Sequence, residues 1–419
     1  METAVRSGVI AAAGLALGLV IRLLLLPAPD VTGDITTFVA WVHGIALHGL
    51  AHAYDEPLSF PPVMAYLWGL LAAVDPAFRT VTDGTDPSIR VLMKVPPTLA
   101  DFGLALLVAY ALRDRPRWAV AGAIAILLHP AVFYVSAWWG QYESIYVLFA
   151  LAATVLAING RNGWAAALIA LSLMTKPQAL PMLVPFAAWF WATGGWLGLL
   201  RTAAIGAAVI VVLWLPFVAA NGPSNYLRGV AEYQNERYAA LSIWGWNIWW
   251  LVQETAAPGR FVSDDVTVAG PVTLRHIGLV ATALLECLVA LAVIRDPRPR
   301  TLVVALAASV LVAFSFLTTM HERYSYAALV FLLLLIPEPR WRWLSLAFGI
   351  VVSVNLLTAA PATPEIHSVV RATDLIGIVG SVAMLAVTGI VYASLARRER
   401  LVGQSASASS QKGATGTPA

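Results

Sequence analysis

Long apolar segments recur along the whole chain and are separated by short polar stretches. A helix needs roughly 20 residues to cross the hydrocarbon core of a bilayer, and many of these segments approach that length. The pattern predicts an all-α polytopic membrane protein with about twelve transmembrane helices. The predicted segments are residues 5–27, 91–112, 118–136, 143–159, 163–177, 181–193, 199–220, 274–294, 301–319, 324–337, 341–358 and 372–395.

Positively charged clusters decide how these segments alternate, because Lys and Arg concentrate in cytoplasmic loops. If 61–75 does not cross and 163–193 is two spans broken at Pro177 and Pro181, every cluster falls inside. If 61–75 crosses and 163–193 is one span, two clusters fall outside, so we prefer the first solution, with both termini inside. The clusters are 113–117, Arg161, Arg201, 295–300, 340–342 and 397–400.

Composition supports a membrane protein over the soluble classes. Of the 419 residues, 59% are hydrophobic and 12% are charged, whereas soluble domains are about one-quarter charged. This balance argues against a soluble enzyme, a nucleic-acid binder or a disordered protein. The net charge of +3 is explained by the cytoplasmic loops, and the single cysteine, Cys287, cannot form an internal disulfide.

The alternation divides the chain into four parts. Residues 1–220 form a first transmembrane module with an outside loop at 28–90, and 221–273 form a second, aromatic-rich outside loop. Residues 274–402 hold the remaining helices, and the Ser/Ala/Gly-rich tail, 403–419, is predicted to be disordered. Within the first loop, 35–50 has amphipathic helical spacing, which predicts a helix lying in the membrane interface.

The same alternation places five polar groups on the outside face. Ionisable residues near membrane depth are costly, so they are functional candidates. Asp34 follows Gly33 at the start of the amphipathic stretch, where it serves as a helix N-cap, as a catalytic carboxylate, or as both. The five groups are Gly33-Asp34 with the following loop, 140–143, 175–178, the second loop, and 320–324.

Basic residues in these groups are candidates for binding a phosphate. Arg offers a planar fork of donors suited to phosphate oxygens. We rank Lys176, Arg323, His321 and Arg90 in that order. The structural alternatives are a Lys176 that snorkels to the interface and a capped turn with an internal ion pair at 321–323.

Polar and aromatic residues in the same groups are candidates for binding a sugar or an acceptor. Indole faces stack on sugar rings, and amides bind hydroxyls; an interfacial aromatic belt is the alternative for the tryptophans, and membrane anchoring for Glu143. The sequence has no P-loop, GxGxxG or CxxC motif, so we predict no cofactor and assign no metal ligands. The candidates are Glu143, Gln141, Gln178, Trp246, Asn247 and Trp249.

These residues carry a family resemblance. The chain resembles multispanning glycosyltransferases of the GT-C class, and is similar to glucosyltransferases that use dolichyl-phosphate glucose and to mannosyltransferases that use polyprenyl-phosphate mannose. The matching motifs are Gly33-Asp34, Phe60-Pro61-Pro62, Leu99-Ala100-Asp101, Trp139-Gly140-Gln141-Tyr142-Glu143, Lys176-Pro177-Gln178, Trp246-Asn247-Ile248-Trp249 and Met320-His321-Glu322-Arg323-Tyr324.

The resemblance implies a GT-C-like helix bundle and an inverting glycosyl transfer outside the membrane, with Asp34 as general base. The implied partners are a polyprenyl-phosphate hexose donor, a lipid or glycan acceptor and membrane lipids, but no nucleic acid. The implied location is the plasma (inner) membrane, with the active site on its extracytoplasmic face. Some relatives carry two adjacent acids in the first loop; here Ile35 follows Asp34, which leaves metal use open.

Two other functions fit many spans with polar residues between them. A transporter or flippase of a lipid-linked sugar would move its substrate without forming a bond, and would usually show internal repeats, of which we find none. A scaffold subunit would use the aromatic second loop as a protein interface. A scaffold predicts dispersed polar groups, whereas an enzyme predicts that they converge in one cavity.

Overall fold

The computed structural model describes residues 2–29, 32–56, 58–234, 238–371, 373 and 375–396. The predicted tail at 403–419 and the basic cluster at 397–400 lie outside the described residues. In the first half of the chain the helices are α1 (Glu2–Leu25), α2 (Asp34–His48), α3 (Pro62–Val74), α4 (Pro87–Ala111), α5 (Pro116–Leu128), α6 (Pro130–Phe133), α7 (Glu143–Ile158), α8 (Asn162–Leu173) and α9 (Leu183–Val218).

The second half continues as helices with a few short strands. Its helices are α10 (Gly222–Glu232), α11 (Ile248–Ala256), α12 (Leu274–Arg295), α13 (Pro299–Phe316), α14 (Tyr326–Leu333), α15 (Pro339–Ala359), α16 (Pro364–Val369) and α17 (Leu375–Ala396). The strands are β1 (Ser242–Ile243), β2 (Thr267–Ala269), β3 (Val272–Thr273) and β4 (Met320–His321). Short 3₁₀ turns cover Leu50–His52, Pro76–Arg79 and Pro177–Met182, and a π-helical turn covers Tyr134–Trp139.

The prediction of an all-α polytopic membrane protein is confirmed. In the described part of the chain, seven helices are long and apolar enough to cross a membrane, or eight if the pair bent by 46° at His129 is one span. Three apolar helices are shorter, namely Pro62–Val74, Glu143–Ile158 and Asn162–Leu173. The count of twelve spans therefore stays a prediction, as does the four-part division of the chain.

Breaks in the long apolar stretches fall where the sequence has Pro or Gly. Helix α8 ends at Leu173 and the 3₁₀ turn Pro177–Met182 follows, which is the predicted interruption of 163–193. Helix α9 is broken at Gly195, whose φ of 63° and ψ of −165° are not helical. Glycine lacks a Cβ and tolerates this backbone conformation, so the chain can change direction there.

The centre of the bundle is α13, which is buried from Thr301 to Ser315. It packs against α12, α14 and α17, while α7, α8 and α9 form a neighbouring layer. Outer helices show the reverse pattern: Leu24 of α1 and Leu197 of α9 are 73% and 78% exposed. Such apolar surfaces suit contact with lipid.

A buried ion pair joins α1 to α4. The Arg22 guanidinium donates from Nε and Nη2 to Asp101 Oδ2, at 2.9 and 2.8 Å, and both side chains are fully buried. Ser136 and Ser144 also donate to the Asp101 carboxylate. The carboxylate of Asp101 is thus well satisfied, as buried charges must be.

The first loop folds into a small core of its own. The apolar face of α2, including Phe38 and Val42, packs against α3 and α4. The Tyr66 hydroxyl of α3 donates to Leu213 O near the end of α9, at 2.9 Å. The amphipathic pattern of 35–50 is therefore used for packing within the protein, and the position of α2 in the membrane interface stays a prediction.

The second loop is joined to the segment after α13 by two short parallel strands. Ser242 and Ile243 of β1 pair with Met320 and His321 of β4. This pairing fixes the start of the 320–324 segment beside the second loop. Strands β2 and β3 form a separate antiparallel hairpin before α12.

Candidate active site

Polar side chains from distant parts of the chain converge on one open cavity at one end of the bundle. Its volume is about 200 Å³. Each of the five predicted polar groups contributes at least one residue, so the convergence expected of an enzyme is present. The lining residues are Asp34, Thr37, Phe38, Trp41, Ser59, Phe60, Gln141, Lys176, Pro177, Gln178, Val230, Tyr233, Gln234, Tyr238, Arg323 and Tyr324.

Asp34 is held by two donors that bind the same carboxylate oxygen. Trp139 Nε1 donates to Asp34 Oδ2 at 2.8 Å, and Gln141 Nε2 donates to it at 2.6 Å. Among the described residues, no hydrogen bond reaches Oδ1. Asp34 is the first residue of α2 and its N-cap is Gly33, with φ 81° and no side-chain cap bond. Capping therefore does not account for Asp34, whose carboxylate is oriented by Trp139 and Gln141 with one oxygen left for another partner.

The two donors are positioned by an irregular turn at the end of a bent helix. The π-helical turn Tyr134–Trp139 ends at Gly140, which has φ 83°. Gln141 N then donates to Val135 O at 2.9 Å, which closes the turn. Wide turns of this kind are frequent at functional sites because they reorient side chains. Here the turn brings Trp139 and Gln141 to the same carboxylate.

We expect Gly140→Ala to impair both stability and activity. A Cβ at this position would lie 2.3 Å from Ile35 Cδ1 and 3.0 Å from Lys94 Cγ. The left-handed backbone adds about 1–2 kcal/mol of strain for any residue with a Cβ. The displaced loop should lower the rate of a reaction catalysed at this site at least about tenfold. Thermal unfolding and activity assays measure the two effects.

Gly44→Ala is the matched control for this substitution. Gly44 lies inside α2, and nothing lies within 4 Å of a Cβ built there. Alanine in a helix interior should leave the protein unchanged or stabilise it by about 0.5–1 kcal/mol. If Gly140→Ala behaved like Gly44→Ala, the close packing of the turn against α2 would not matter for the site.

The predicted phosphate ligands Lys176 and Arg323 lie in a buried network of charges. Lys176 Nζ donates to Glu143 Oε1, and Arg323 Nε lies 3.3 Å from the same oxygen. Arg323 Nη1 also donates to Glu322 Oε1 at 2.6 Å. Lys176 and Arg323 are 4% and 9% exposed. Two cations therefore share two carboxylates at the cavity wall, in a dehydrated environment where charges interact strongly.

Aromatic rings support both cations. The Lys176 ammonium lies 5.5 Å from the centre of the Phe60 ring, and the Arg323 guanidinium lies 5.1 Å from that of Trp139. A cation over an aromatic face is attracted to the ring electrons. Trp139 therefore contacts both the carboxylate of Asp34 and the guanidinium of Arg323, and it links the two halves of the site.

Burial changes the pKa values of the ionisable groups in the network. It lowers the pKa of Lys176, with a further contribution from Arg323, while Glu143 acts in the opposite direction. Burial, with Arg323 and Lys176, also lowers the pKa of His321 well below its usual value, so this imidazole is neutral near pH 7. Burial raises the pKa of the Glu322 carboxyl.

The neutral state and position of His321 argue against a direct role in binding phosphate. Its ring lies 5.1 Å from the rings of Tyr238 and Tyr324, and it does not line the cavity. An uncharged, buried imidazole supplies little electrostatic attraction for a phosphate. His321 is better placed to support the two tyrosines that do line the cavity.

Arg90 lies outside the cavity, contrary to its predicted place in the phosphate site. Its Nε donates to Pro27 O at 2.9 Å, and its Nη1 donates to Gly84 O and Thr85 O at 2.9 and 2.6 Å. These bonds hold the ends of the first loop together. The guanidinium is occupied by backbone carbonyls, which accounts for Arg90 without any ligand.

The tryptophan-rich motif of the second loop also lies away from the cavity. Asn247 Nδ2 donates to Phe314 O at 2.9 Å, and Trp249 Nε1 donates to Phe316 O at 2.6 Å. Trp246 is 2% exposed and packs so closely on Gly380 that a Cβ there would lie 2.1 Å from its ring. The motif therefore anchors the loop to the end of α13 and to α17, and the structure does not bring these predicted sugar ligands to the cavity.

Other residues of the site were not among the predicted ligands. Phe60 lines the cavity, and Trp139 holds Asp34 without lining it. Both stand in motifs that the sequence singled out, so their motif position could have indicated them. The second loop contributes Tyr233, Gln234 and Tyr238 instead of its tryptophans, and no local pattern distinguishes these three. The rings of Tyr233 and Tyr238 lie 4.4 Å apart, forming one aromatic wall.

Several acceptor atoms in the site have no hydrogen-bond partner among the described residues. They are buried oxygen atoms that point to an absent donor, since buried polar atoms are normally paired. Hydroxyl groups of a bound sugar would satisfy them. These atoms are Gln141 Oε1, Glu143 Oε2 and Gln178 Oε1.

Comparison with known proteins gives one family match. Residues 91–319, more than half of the chain, match the family model of glycosyltransferase family 87. The matched region includes Gln141, Glu143, Lys176 and Gln178, whereas Asp34 and Arg323 lie outside it. No curated protein matches the chain.

Proposed function

The chain belongs to glycosyltransferase family 87, and on that premise we propose that it transfers a hexose, mannose or glucose, from a polyprenyl-phosphate carrier to a lipid or glycan acceptor outside the cytoplasm. Membership makes the protein a membrane glycosyltransferase with a sugar donor and an acceptor. The proposal of a polyprenyl-phosphate donor rests on one observation. Asp34 and two buried cations, Lys176 and Arg323, line the same cavity. Sugar transfer from a phosphate leaving group requires a carboxylate that takes the acceptor proton and cations that stabilise the departing phosphate.

Asp34 is proposed as the general base. Its Oδ2 is engaged by Trp139 and Gln141, so Oδ1 is available to the acceptor hydroxyl. As Oδ1 takes the hydroxyl proton, the acceptor oxygen forms a bond to the anomeric carbon. The bond from that carbon to the phosphate oxygen breaks with its electron pair. One displacement on the opposite face of the ring inverts the anomeric configuration.

Lys176 and Arg323 are proposed to stabilise the departing phosphate. Negative charge grows on the phosphate as the bond breaks, and fixed cations in a dehydrated site stabilise it more than water does. A phosphate leaves without protonation, so no second acid is needed. Glu143 and Glu322 keep the two cations in place and balance their charge before the donor binds.

The remaining cavity residues are proposed to bind the sugar. Gln141 and Gln178 line the cavity and present unpaired acceptors, and Trp41 and Phe60 offer aromatic faces for the apolar side of a sugar ring. Glu143, a predicted sugar ligand, is fully buried behind the cavity wall, where it pairs with Lys176 and Arg323. The volume of about 200 Å³ is smaller than typical drug-sized pockets, which suits one sugar ring. This supports transfer of one sugar at a time.

The extracytoplasmic location of the site is proposed from the positive charges. Arg161 and the 113–117 cluster lie at the opposite helix ends from Lys176 and Gln141. Basic loops are retained in the cytoplasm, which supports a cavity that faces outside. No nucleotide sugars are available there, so a donor carried by a membrane lipid fits. Family membership favours this transferase over the transporter or flippase.

The direct test supplies purified, reconstituted protein with synthetic polyprenyl-phosphate mannose or glucose and a mixed lipid and glycan acceptor fraction. We expect a new glycosidic product whose anomeric configuration, read by NMR, is opposite to that of the donor. Nucleotide sugars should give no product. Movement of the donor across the vesicle membrane without a glycosidic product would establish the flippase instead.

The pH dependence of donor use should follow the ammonium of Lys176. Because burial lowers the pKa of Lys176 below its ordinary value, the cation is present below the lowered pKa and lost as pH rises through it. We expect kcat/KM for the donor to fall at alkaline pH, by about tenfold per unit above that pKa. Burial raises the pKa values of Tyr233 and Tyr324, so their hydroxyls stay neutral in this range.

The Lys176→Arg variant tests whether deprotonation of Lys176, and not of another group, causes the fall in kcat/KM at alkaline pH. Arginine stays protonated to about pH 12 or above, so the variant should keep its kcat/KM at pH values where the wild type declines. The measurement is a pair of pH profiles from 7 to 10.5, with thermal unfolding at each pH. An unchanged alkaline limb in Lys176→Arg would remove Lys176 from donor binding.

A further inference from the structure

A second cavity lies at the other end of α8 from the candidate active site. Its volume is about 690 Å³. Helix α8 has 12 residues, which corresponds to a rise of about 18 Å between this cavity and the turn that carries Lys176. The lining residues are Gly160, Arg161, Asn162, Gly163, Trp164, Ala167, Gly198, Arg201, Thr202 and Ile205.

The cavity carries two positive charges without a counter-charge. The side chains of Arg161 and Arg201 are exposed, and neither forms an ion pair or a hydrogen bond with any described residue. From 144 to 231 the sequence contains no Asp or Glu, so α8 and α9, the two helices that line the cavity, supply no carboxylate. Two unneutralised guanidinium groups facing one concave surface favour an anion.

The shape of the cavity depends on small residues between the two arginines. Gly160, Gly163 and Gly198 contribute no side chains, and this leaves the space open. Asn162 Nδ2 donates to Thr193 Oγ1 at 3.1 Å, which joins the start of α8 to α9 at the cavity rim. The cavity is therefore a depression between two helices that are fixed to each other.

The surroundings indicate that the anion is attached to a lipid. Trp164 is 70% exposed at the cavity edge, and tryptophan prefers the level of lipid headgroups. Leu197 and Leu200 of α9, beside Gly198 and Arg201, are 78% and 46% exposed. Apolar side chains next to the charged depression provide a surface for acyl chains. A free anion in water would need no such surface.

We propose that this cavity binds the phosphate headgroup of an anionic membrane lipid, in the leaflet opposite the candidate active site. Arg161 and Arg201 contact the phosphate, Trp164 lies at the headgroup level, and the acyl chains run along the exposed face of α9. The proposal rests on the second cavity alone and does not depend on the proposed transferase activity. Its test therefore uses lipid binding, which can fail or succeed whatever the sugar assays show.

The test is native mass spectrometry of the full chain, released from detergent after incubation with phosphatidylglycerol or phosphatidylcholine. We expect tighter binding of phosphatidylglycerol than of phosphatidylcholine by the wild type. Each arginine near an anionic lipid contributes about 1 kcal/mol, so Arg161→Gln/Arg201→Gln should weaken phosphatidylglycerol binding roughly thirtyfold. Ala167→Phe, which fills the cavity and keeps both charges, should also weaken it.

Arg115→Gln/Arg117→Gln is the matched control, since it removes two exposed arginines from another basic loop at the same end of the bundle. It should change phosphatidylglycerol binding less than about twofold. Equal losses in the two double variants would show general charge attraction and overturn the site. Displacement of the lipid by millimolar inorganic phosphate would overturn the lipid assignment, and unchanged binding in Arg161→Gln/Arg201→Gln would overturn the proposal.

Discussion

Asp34→Asn is expected to lower kcat for sugar transfer by about 10²–10⁴-fold, the range attributed to a positioned general base. The amide has the shape of the carboxylate, and its oxygen can accept from Trp139 and Gln141 as Asp34 Oδ2 does. Its other atom is an NH₂ group, which cannot take a proton from the acceptor. Fold and donor binding should therefore survive while the chemical step is lost. Single-turnover transfer, with enzyme in excess over donor, measures this step.

Asp55→Asn is a matched control for this substitution. Asp55 belongs to the same loop, but its carboxylate is 52% exposed and pairs with His52 at 2.9 Å. Neutralising a surface pair of this kind should change stability and activity little. Undiminished transfer by Asp34→Asn would exclude Asp34 as the base. A large rise in donor KM with unchanged kcat would assign it to binding instead.

Arg323→Lys is expected to lower kcat by about 10²–10³-fold, comparable to the loss of one preorganised group that stabilises developing charge. Lysine keeps the positive charge but loses the planar fork, which binds phosphate oxygens in pairs. It also loses the stacking of the guanidinium on Trp139. The loss should appear mainly in kcat, because the phosphate carries its largest charge as it departs. Steady-state kinetics with varied donor separates kcat from KM.

Protein stability must be controlled in this experiment. Arg323 neutralises buried carboxylates of Glu143 and Glu322, and breaking a buried ion pair costs about 3–5 kcal/mol. Arg323→Gln/Glu322→Gln removes both partners of one pair, so it should fold better than Arg323→Gln while remaining inactive. A double variant with normal unfolding and normal kcat would remove Arg323 from the mechanism.

Arg300→Lys provides the matched control for the conservative change. Arg300, in the first turn of α13, pairs at 2.9 Å with Glu338, which precedes α15, and both side chains are partly exposed. The same loss of the guanidinium fork there should leave kcat within about twofold of the wild type. If Arg323→Lys lost no more activity than Arg300→Lys, the guanidinium would have no special part in transfer.

The helical class, the breaks in the apolar runs and the core of the site could be predicted from the sequence. Hydrophobic length and positive charge act locally, so they identify helices and their alternation without tertiary contacts. Asp34, Gln141, Lys176 and Arg323 came from this alternation and from motif resemblance, and the structure brings them to one cavity. Their roles in transfer stay predictions for the kinetic experiments.

The sequence could not predict which group each side chain contacts, because the same kind of side chain can bind a ligand or hold parts of the fold together. Arg90 resembles a phosphate ligand in sequence, yet its guanidinium donates hydrogen bonds to backbone carbonyls at the two ends of the first loop. Trp246 and Trp249 look like a sugar platform, yet they anchor the second loop. The local sequence shows that a hydrogen-bond donor or an aromatic ring is present. Only the long-range packing determines what that donor or ring contacts.

Long-range packing also explains why the sequence did not identify some residues of the site. Trp139 stands in a matching motif with no role assigned to it, although its indole N–H holds Asp34 from 105 residues away. Tyr233 and Tyr238 follow an amphipathic helix and carry no motif. They reach the cavity because β1 and β4 pair the second loop with the segment that holds Arg323.

The ion pair between Arg22 and Asp101 has a consequence for how the protein is made. The two residues are separated by 79 positions, so at roughly 5–20 residues per second the ribosome needs on the order of ten seconds to deliver the second after the first. During this interval the nascent chain presents an unpaired arginine near the end of its first hydrophobic segment, where insertion carries a cost that reaches about 2.5–3.5 kcal/mol for an arginine at a helix centre. We expect that segment to remain at the translocon until its acidic partner emerges.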